Sequence, residues 1–130
     1  MRIMVCFDGS NASIAAVDLA GKFAKAFAAK LFIVTSMVGG AEDTAKEIKR
    51  LEENLNQLKR RFENNGIPCE VHLLIRGLSA GEDIVLFAGE NDIDQILIGI
   101  EKKSKVGKLL FGSTAQYVIL EASCPVVAVK

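Results

Sequence analysis

The apolar positions of the chain follow two alternating patterns. Short, nearly continuous apolar runs are typical of strands that are buried on both faces of a sheet. Between them lie stretches in which apolar residues recur at helical spacing. The apolar runs predict five strands, at residues 1–7, 31–38, 69–75, 93–100 and 125–129. The helical spacing predicts four helices, at residues 12–30, 48–64, 79–90 and 112–123.

Capping residues support the predicted helix ends. Ser10 or Asn11 precedes the first helix and can accept hydrogen bonds from its free N–H groups. Ser79 and Glu82 form the S-x-x-E pattern of a capping box at the start of the third helix. The sequence Asn64-Asn65-Gly66 is expected to end the second helix.

The second helix has the most regular apolar stripe. Its members are Ile48, Leu51, Leu55, Leu58 and Phe62. The stripe fits a helix that covers one face of a sheet. A coiled-coil seam is the alternative, although a stripe of about two heptads is shorter than the three or four that coiled coils need.

The strict alternation of strands and helices predicts an α/β fold. It implies one open parallel sheet with helices on both faces and right-handed crossovers, in a single domain over residues 1–130. Val5, Ile33, Leu73 and Leu97 are expected to be buried near the middle of this sheet.

Composition and charge narrow the classes of function. The 130 residues include 16 basic and 16 acidic side chains, so the formal net charge is zero and no basic surplus points to nucleic acid. No apolar run is long enough for a membrane span, and the first eight residues do not resemble a signal peptide. We therefore expect a cytoplasmic protein that binds neither nucleic acid nor membrane.

The remaining reactive side chains suggest structural roles. The three cysteines are far apart in sequence and are expected to be buried thiols rather than a disulfide framework. His72 is the only histidine, and no Cys/His spacing indicates a metal site. Asp83 and Asp92 are expected to be solvated charges.

Candidate chemistry lies at the predicted carboxyl ends of the strands, where open α/β sheets bind ligands. Asp8 follows the first strand, Ser36 lies near the end of the second, and Gly99 lies near the end of the fourth. Gly112-Ser113-Thr114 opens the last helix, whose N–H groups and dipole suit an anion such as phosphate. Lysines precede it at positions 102, 103, 105 and 108. Helix capping by Asp8, Ser113 or Thr114 and solvation of the lysines remain the alternative explanation.

Several segments resemble the universal stress protein family. They are residues 3–8 (IMVCFD), 94–99 (DQILIG), 112–113 (GS) and 123–130 (SCPVVAVK). The resemblance extends over the whole chain. It implies a Rossmann-like fold of the adenine nucleotide alpha hydrolase type, with strand order 3-2-1-4-5, usually in a homodimer.

One subclass of this family binds ATP through the motif G-x2-G-x9-G-(S/T). Here Gly99, Gly112 and Ser113 match the motif, but Lys102 stands where the second glycine belongs. By resemblance, the nucleotide site consists of Phe7, Asp8, Ser36, Ile98, Gly99, Lys102, Gly112, Ser113 and Thr114. Asp8 would meet the ribose, backbone near Phe7 and Ser36 the adenine, and the glycine and hydroxyl residues the phosphates. Lys102 either obstructs a phosphate or donates charge to it.

The resemblance implies a regulatory role in stress adaptation. The expected protein binds ATP or AMP, has no catalytic residues and no protein-bound metal, and is at most a slow ATPase. A magnesium ion, if bound, would bridge the phosphates. The expected homodimer pairs the edge strand Pro125 to Val129 with its own copy. The alternative is a dimeric interaction module of the same fold that binds no nucleotide, and Lys102 is the residue that favours it.

Overall fold

The structure is a computed structural model that describes residues 1–37, 45–101 and 112–130. Strands and helices alternate along the chain, which confirms the predicted succession. The elements are β1 (Arg2–Cys6), α1 (Asn11–Phe27), β2 (Lys30–Ser36), α2 (Ala45–Asn64), β3 (Cys69–Leu74), α3 (Ala80–Glu90), β4 (Gln95–Gly99), α4 (Ser113–Glu121) and β5 (Val126–Val129). Ser10 and Ser79 cap α1 and α3 with their side chains, as the sequence predicts.

The five strands form one parallel sheet in the order β3-β2-β1-β4-β5. Both the α/β class and the expected strand order are therefore confirmed. Val5 of the central strand β1 lies opposite Ile33 of β2 and Leu97 of β4, and all three side chains are fully buried. Leu73 is only half-buried, contrary to the prediction, because β3 is an edge strand with a neighbour on one side.

Two hydrophobic cores lie on opposite faces of the sheet. On one face, α1 and α2 pack over β1 and β2, with Val17, Leu55 and Phe62 among the buried side chains. The apolar stripe of α2 therefore covers a sheet face, as predicted. On the other face, Ile84 and Phe87 of α3 join Val118 of α4. Among the described helices, none combines the length and apolar character that a membrane span requires.

Helix α1 ends three residues earlier than predicted (Phe27 rather than residue 30) because the chain turns sharply at Ala28. Ala28 adopts the left-handed conformation, with φ of 51°. Its N–H and that of Ala29 donate to carbonyl oxygens of the last helical turn. This is the position where helices commonly carry glycine. The turn leads directly into Lys30, at the amino end of strand β2.

Asp83 is fully buried, so the expectation of a solvated charge is wrong. Its Oδ1 accepts a hydrogen bond of 2.5 Å from Nε of Arg76, which lies in the loop between β3 and α3. The same guanidinium donates to Glu90 at 2.6 Å. The arginine thus compensates the charge of the buried carboxylate, and it ties the loop to both ends of α3.

Candidate functional site

A cavity of about 520 Å³ opens beyond the carboxyl ends of β1, β2 and β4. This is the place where open α/β sheets bind ligands, and the volume is within the range of small-molecule sites. Residues from the first turns of α1, α3 and α4 complete its wall. The lining residues are Cys6, Phe7, Asp8, Ser10, Ser13, Val34, Ser36, Ala80, Ile84, Ile98, Gly99, Ile100, Glu101, Gly112, Ser113, Thr114 and Ala115.

The predicted nucleotide residues come together in this cavity. Phe7, Asp8, Ser36, Ile98, Gly99, Gly112, Ser113 and Thr114 all line it. Lys102, like the three lysines that follow it, lies outside the described residues.

Sequence reasoning missed several apolar members of the lining. Val34 shares a face of β2 with Ser36 because side chains alternate along a strand. That alternation was a usable signal for Val34. No local signal pointed to Ala80 or Ile84, since they reach the cavity only through the packing of α3.

The loop after β1 is held by a compact set of hydrogen bonds. Asp8 Oδ1 accepts from the Ser10 N–H at 2.9 Å. Ser10 Oγ accepts from the Ser13 N–H at 3.2 Å and caps α1, so the cap is Ser10 rather than Asp8. Ser13 Oγ in turn donates to the Ser10 carbonyl oxygen at 2.9 Å. This network fixes the Asp8 side chain at the edge of the cavity.

The Asp8 carboxyl is stabilised as a carboxylate. Partial burial by itself would raise its pKa, but hydrogen bonds from Ser10 and Ser13 outweigh that effect and lower the pKa below its ordinary value. Asp8 therefore presents a negatively charged acceptor at neutral pH, which suits a hydroxyl donor.

The N-terminus of α4 faces the cavity without a side-chain cap. Gly112 is the N-cap residue and, having no side chain, makes no side-chain capping hydrogen bond to the first turn. Ser113 and Thr114 add hydroxyl groups to these donors. Uncapped N–H groups and the positive end of the helix dipole form an anion site.

Gly112 and Gly99 differ in what surrounds them. A Cβ built on Gly112 meets no heavy atom within 4 Å in the described structure, so space is open beside it. A Cβ built on Gly99 lies 2.5 Å from the Ala12 carbonyl carbon and 2.6 Å from the Ser13 nitrogen. Gly99 therefore allows the first turn of α1 to rest directly on the end of β4.

Part of the cavity wall is apolar. Val34, Ala80 and Ile84 line it together with the Cys6 thiol. Burial, followed by the nearby charge of Asp8, raises the pKa of Cys6 to about 12. The thiol is therefore neutral and acts as part of an apolar wall. Among the described residues, no group of three or more His, Cys, Asp or Glu side chains is arranged to hold a metal ion.

Comparison with known proteins identifies the family. The model of the universal stress protein family matches residues 1–130. A universal stress protein of Methanocaldococcus jannaschii is 33% identical over 99% of this chain and 81% of its own length. A solved universal stress protein from Archaeoglobus fulgidus has a TM-score of 0.88 and 37% identity, over 100% of this chain and 98% of the other.

Two further solved structures contain nucleotides. A universal stress protein from Archaeoglobus fulgidus in complex with dAMP has a TM-score of 0.83 and 33% identity, over 100% of this chain and 98% of the other. A universal stress protein in complex with cAMP has a TM-score of 0.77 and 26% identity, over 99% and 96% of the two chains. From the family match and the identity to its relatives, the chain belongs to the universal stress protein family.

Proposed function

We propose that this protein binds an adenine nucleotide in the cavity, with the phosphate at the N-terminus of α4. The observation that carries the proposal is the uncapped first turn at Gly112, which opens into a cavity of ligand size. Ser113 and Thr114 supply hydroxyl donors to the phosphate. Asp8, held as a carboxylate, accepts from a ribose hydroxyl, and the apolar part of the wall takes the faces of the base.

The nucleotide-bound relatives support this choice of ligand. One is in complex with dAMP and the other with cAMP, and both ligands are adenine nucleotides with a single phosphate. Because dAMP has no 2′-hydroxyl, the site of that relative does not require this group. The cAMP of the other relative has its 3′-oxygen in the cyclic phosphate, so we assign the Asp8 carboxylate to a free ribose hydroxyl without choosing between the two positions. Where ATP is the ligand, a magnesium ion would bridge its phosphates.

The first test is identification and titration of the ligand. Mass spectrometry of small molecules released from the denatured, purified protein should detect an adenine nucleotide, and calorimetry should measure binding of added AMP. The Gly112→Val variant should lose binding, because its side chain fills the open space beside α4. Gly89→Val is a matched control: a Cβ there also meets no described atom within 4 Å, but Gly89 lies in the last turn of α3, outside the cavity lining.

Two results would contradict the proposal. One is a wild-type protein that carries no nucleotide and binds none in titration. The other is a Gly112→Val variant that binds AMP as tightly as the Gly89→Val control. The first result would favour a dimeric interaction module that acts without nucleotide.

We further propose that the protein acts as a homodimeric regulator of stress adaptation, assembled through β5. This strand forms one edge of the sheet. The carbonyl oxygen of Pro125 accepts from the Ile96 N–H of β4 at 3.0 Å, and that of Val129 accepts from the N–H of Ile100, just after β4, at 2.7 Å. By strand alternation, the N–H and C=O of Ala128 point to the open edge, where a second copy could pair with them.

A proline substitution tests this interface. Ala128→Pro removes an outward N–H without removing a hydrogen bond to β4, and proline is tolerated on edge strands. We expect the variant to be folded and monomeric by light scattering, whereas the Ala128→Val control stays dimeric. A dimer of unchanged dissociation constant in Ala128→Pro would show that β5 is not the interface.

A further inference from the structure

The described wall of the cavity carries negative side chains and no positive one. Asp8 and Glu101 are its acidic members, and its described residues include no lysine, arginine or histidine. Arg50 lines a smaller hollow that Asp8 also borders, but its guanidinium is paired with Glu47 at 2.6 and 3.1 Å. Within the described wall, the attraction for a phosphate therefore comes from the N-terminus of α4.

The two acidic residues differ in how the protein uses them. Asp8 Oδ1 accepts from the Ser10 N–H at 2.9 Å, so this carboxylate is held by its own loop. Glu101 is exposed, and its side chain pairs with no cation or hydrogen-bond donor in the described part of the chain. The charge of Glu101 therefore acts without local compensation there on a ligand in the cavity.

Glu101 lies close to the ligand volume. It is the second residue after Gly99, where β4 ends, and both residues line the cavity together with the first turn of α4. A sphere with the cavity volume of 520 Å³ is about 10 Å across, and the Debye length at physiological ionic strength is about 8 Å. A charge on the wall is therefore only partly screened from a phosphate inside.

Such a charge distinguishes ligands by the length of their phosphate chain. AMP carries roughly two negative charges at neutral pH, and each further phosphate group adds roughly one more. The relatives with bound nucleotides contain dAMP and cAMP, each with a single phosphate. We propose that Glu101 is a specificity-determining residue whose carboxylate favours nucleoside monophosphates over ATP, an inference that rests on the proposed nucleotide site.

The test compares two nucleotides in two proteins. Wild type and Glu101→Gln are titrated with AMP and ATP by calorimetry, with EDTA present because magnesium would neutralise part of the ATP charge. Wild type should bind AMP more tightly than ATP. In Glu101→Gln, the dissociation constant for ATP should fall about fivefold to tenfold and that for AMP about twofold to threefold, because ATP brings about twice the negative charge. Both proteins retain the lysines at positions 102, 103, 105 and 108, so the comparison isolates the charge of Glu101.

Glu63→Gln is the matched control. Glu63 is also exposed, and it lies in the last turn of α2, which leads to the amino end of β3 and not to the cavity. The control changes the net charge of the protein by the same amount, so both dissociation constants should stay within about twofold of wild type. Thermal unfolding should show that both variants are folded, because neither glutamate side chain pairs with a described residue.

Salt dependence supplies a second readout. Repulsion between charges weakens as ionic strength rises, and at 1 M salt the Debye length is only about 3 Å. The difference between wild type and Glu101→Gln in their preference for AMP should therefore nearly vanish at that salt concentration. A difference that persists unchanged would mean that the substitution relieves a steric conflict, and it would overturn the proposal.

The outcomes separate this inference from the proposed function. If wild type binds AMP, but the ratio of the two dissociation constants is the same in Glu101→Gln, the inference is wrong and the nucleotide site stands. The same conclusion follows if wild type binds ATP more tightly than AMP in the presence of EDTA. If wild type binds neither nucleotide, both proposals fail together.

Discussion

The contact between Gly99 and α1 predicts a large loss of stability in Gly99→Ala. The new Cβ would lie 2.5 Å from the Ala12 carbonyl carbon, 2.6 Å from the Ser13 nitrogen and 2.7 Å from the Ala12 oxygen. All three are backbone atoms of the first turn of α1, so no side chain can rotate to make room. The helix must shift as a unit, away from β4.

The size of the effect follows from known costs of overpacking. Extra methyl groups in well-packed interiors typically cost about 1–3 kcal/mol, and a clash with backbone belongs at the upper end. We therefore expect Gly99→Ala to lower the free energy of unfolding by about 3 kcal/mol. That is a large part of the roughly 5–15 kcal/mol that stabilises a typical domain.

Urea denaturation provides the assay. With a slope of about 1–3 kcal/mol per molar urea, a loss of 3 kcal/mol moves the midpoint by about 1–3 M. Gly112→Ala is the control, because its Cβ would enter open space and should change stability by less than about 0.5 kcal/mol. Equal midpoints for the two variants would refute the reasoning. Such a result would mean that Gly99 matters for the ligand rather than for α1.

Two further predictions concern the charged groups. Arg76→Met leaves the buried Asp83 carboxylate without its cation and should cost about 3 kcal/mol by urea denaturation, at the lower end for broken buried pairs because Arg76 is partly exposed. The double variant with Asp83→Leu should recover most of that loss, and a single variant as stable as wild type would contradict the prediction. The lowered pKa of Asp8 means that its ionised form stabilises the fold. This contribution should be complete above the unfolded pKa of about 3.9 and should disappear as the pH falls through the lower folded pKa. In Asp8→Asn, the stability difference from wild type should therefore be constant near neutral pH and shrink below about pH 4; a difference that grows on acidification would be inconsistent with a lowered pKa.

The order of elements was predictable because it depends on local periodicity. Five apolar runs and the helical stripes between them are properties of neighbouring residues, and so are the caps at Ser10 and Ser79. Burial of individual side chains was less predictable. Asp83 was misjudged because its burial depends on how α3 packs in the fold, and the pattern did not reveal that Arg76, in the loop before α3, turns back to pair with it. Leu73 was misjudged although the expected strand order already placed β3 at the edge, where a neighbour on one side leaves its side chain half-buried.

The location of the candidate site was predictable for a topological reason. Parallel strands bring their carboxyl ends to one edge, so Asp8, Ser36 and Gly99 had to lie near one another. The separate roles of these residues depend on tertiary packing. The sequence gives no indication that Gly99 contacts the backbone of α1, or that Ser36 Oγ makes no hydrogen bond within the described structure. The contact of Gly99 depends on the placement of α1, which lies far away in sequence.

The left-handed turn at Ala28 has a consequence for protein engineering. A residue with a Cβ is strained by about 1 kcal/mol or more in this conformation, whereas glycine adopts it freely. Ala28 joins α1 to the amino end of β2, and the cavity lies beyond the carboxyl ends of the strands. A substitution at Ala28 can therefore raise the free energy of unfolding without altering the cavity. Ala28→Gly would provide a reinforced background in which damaging substitutions at the cavity stay folded long enough for their affinities to be measured.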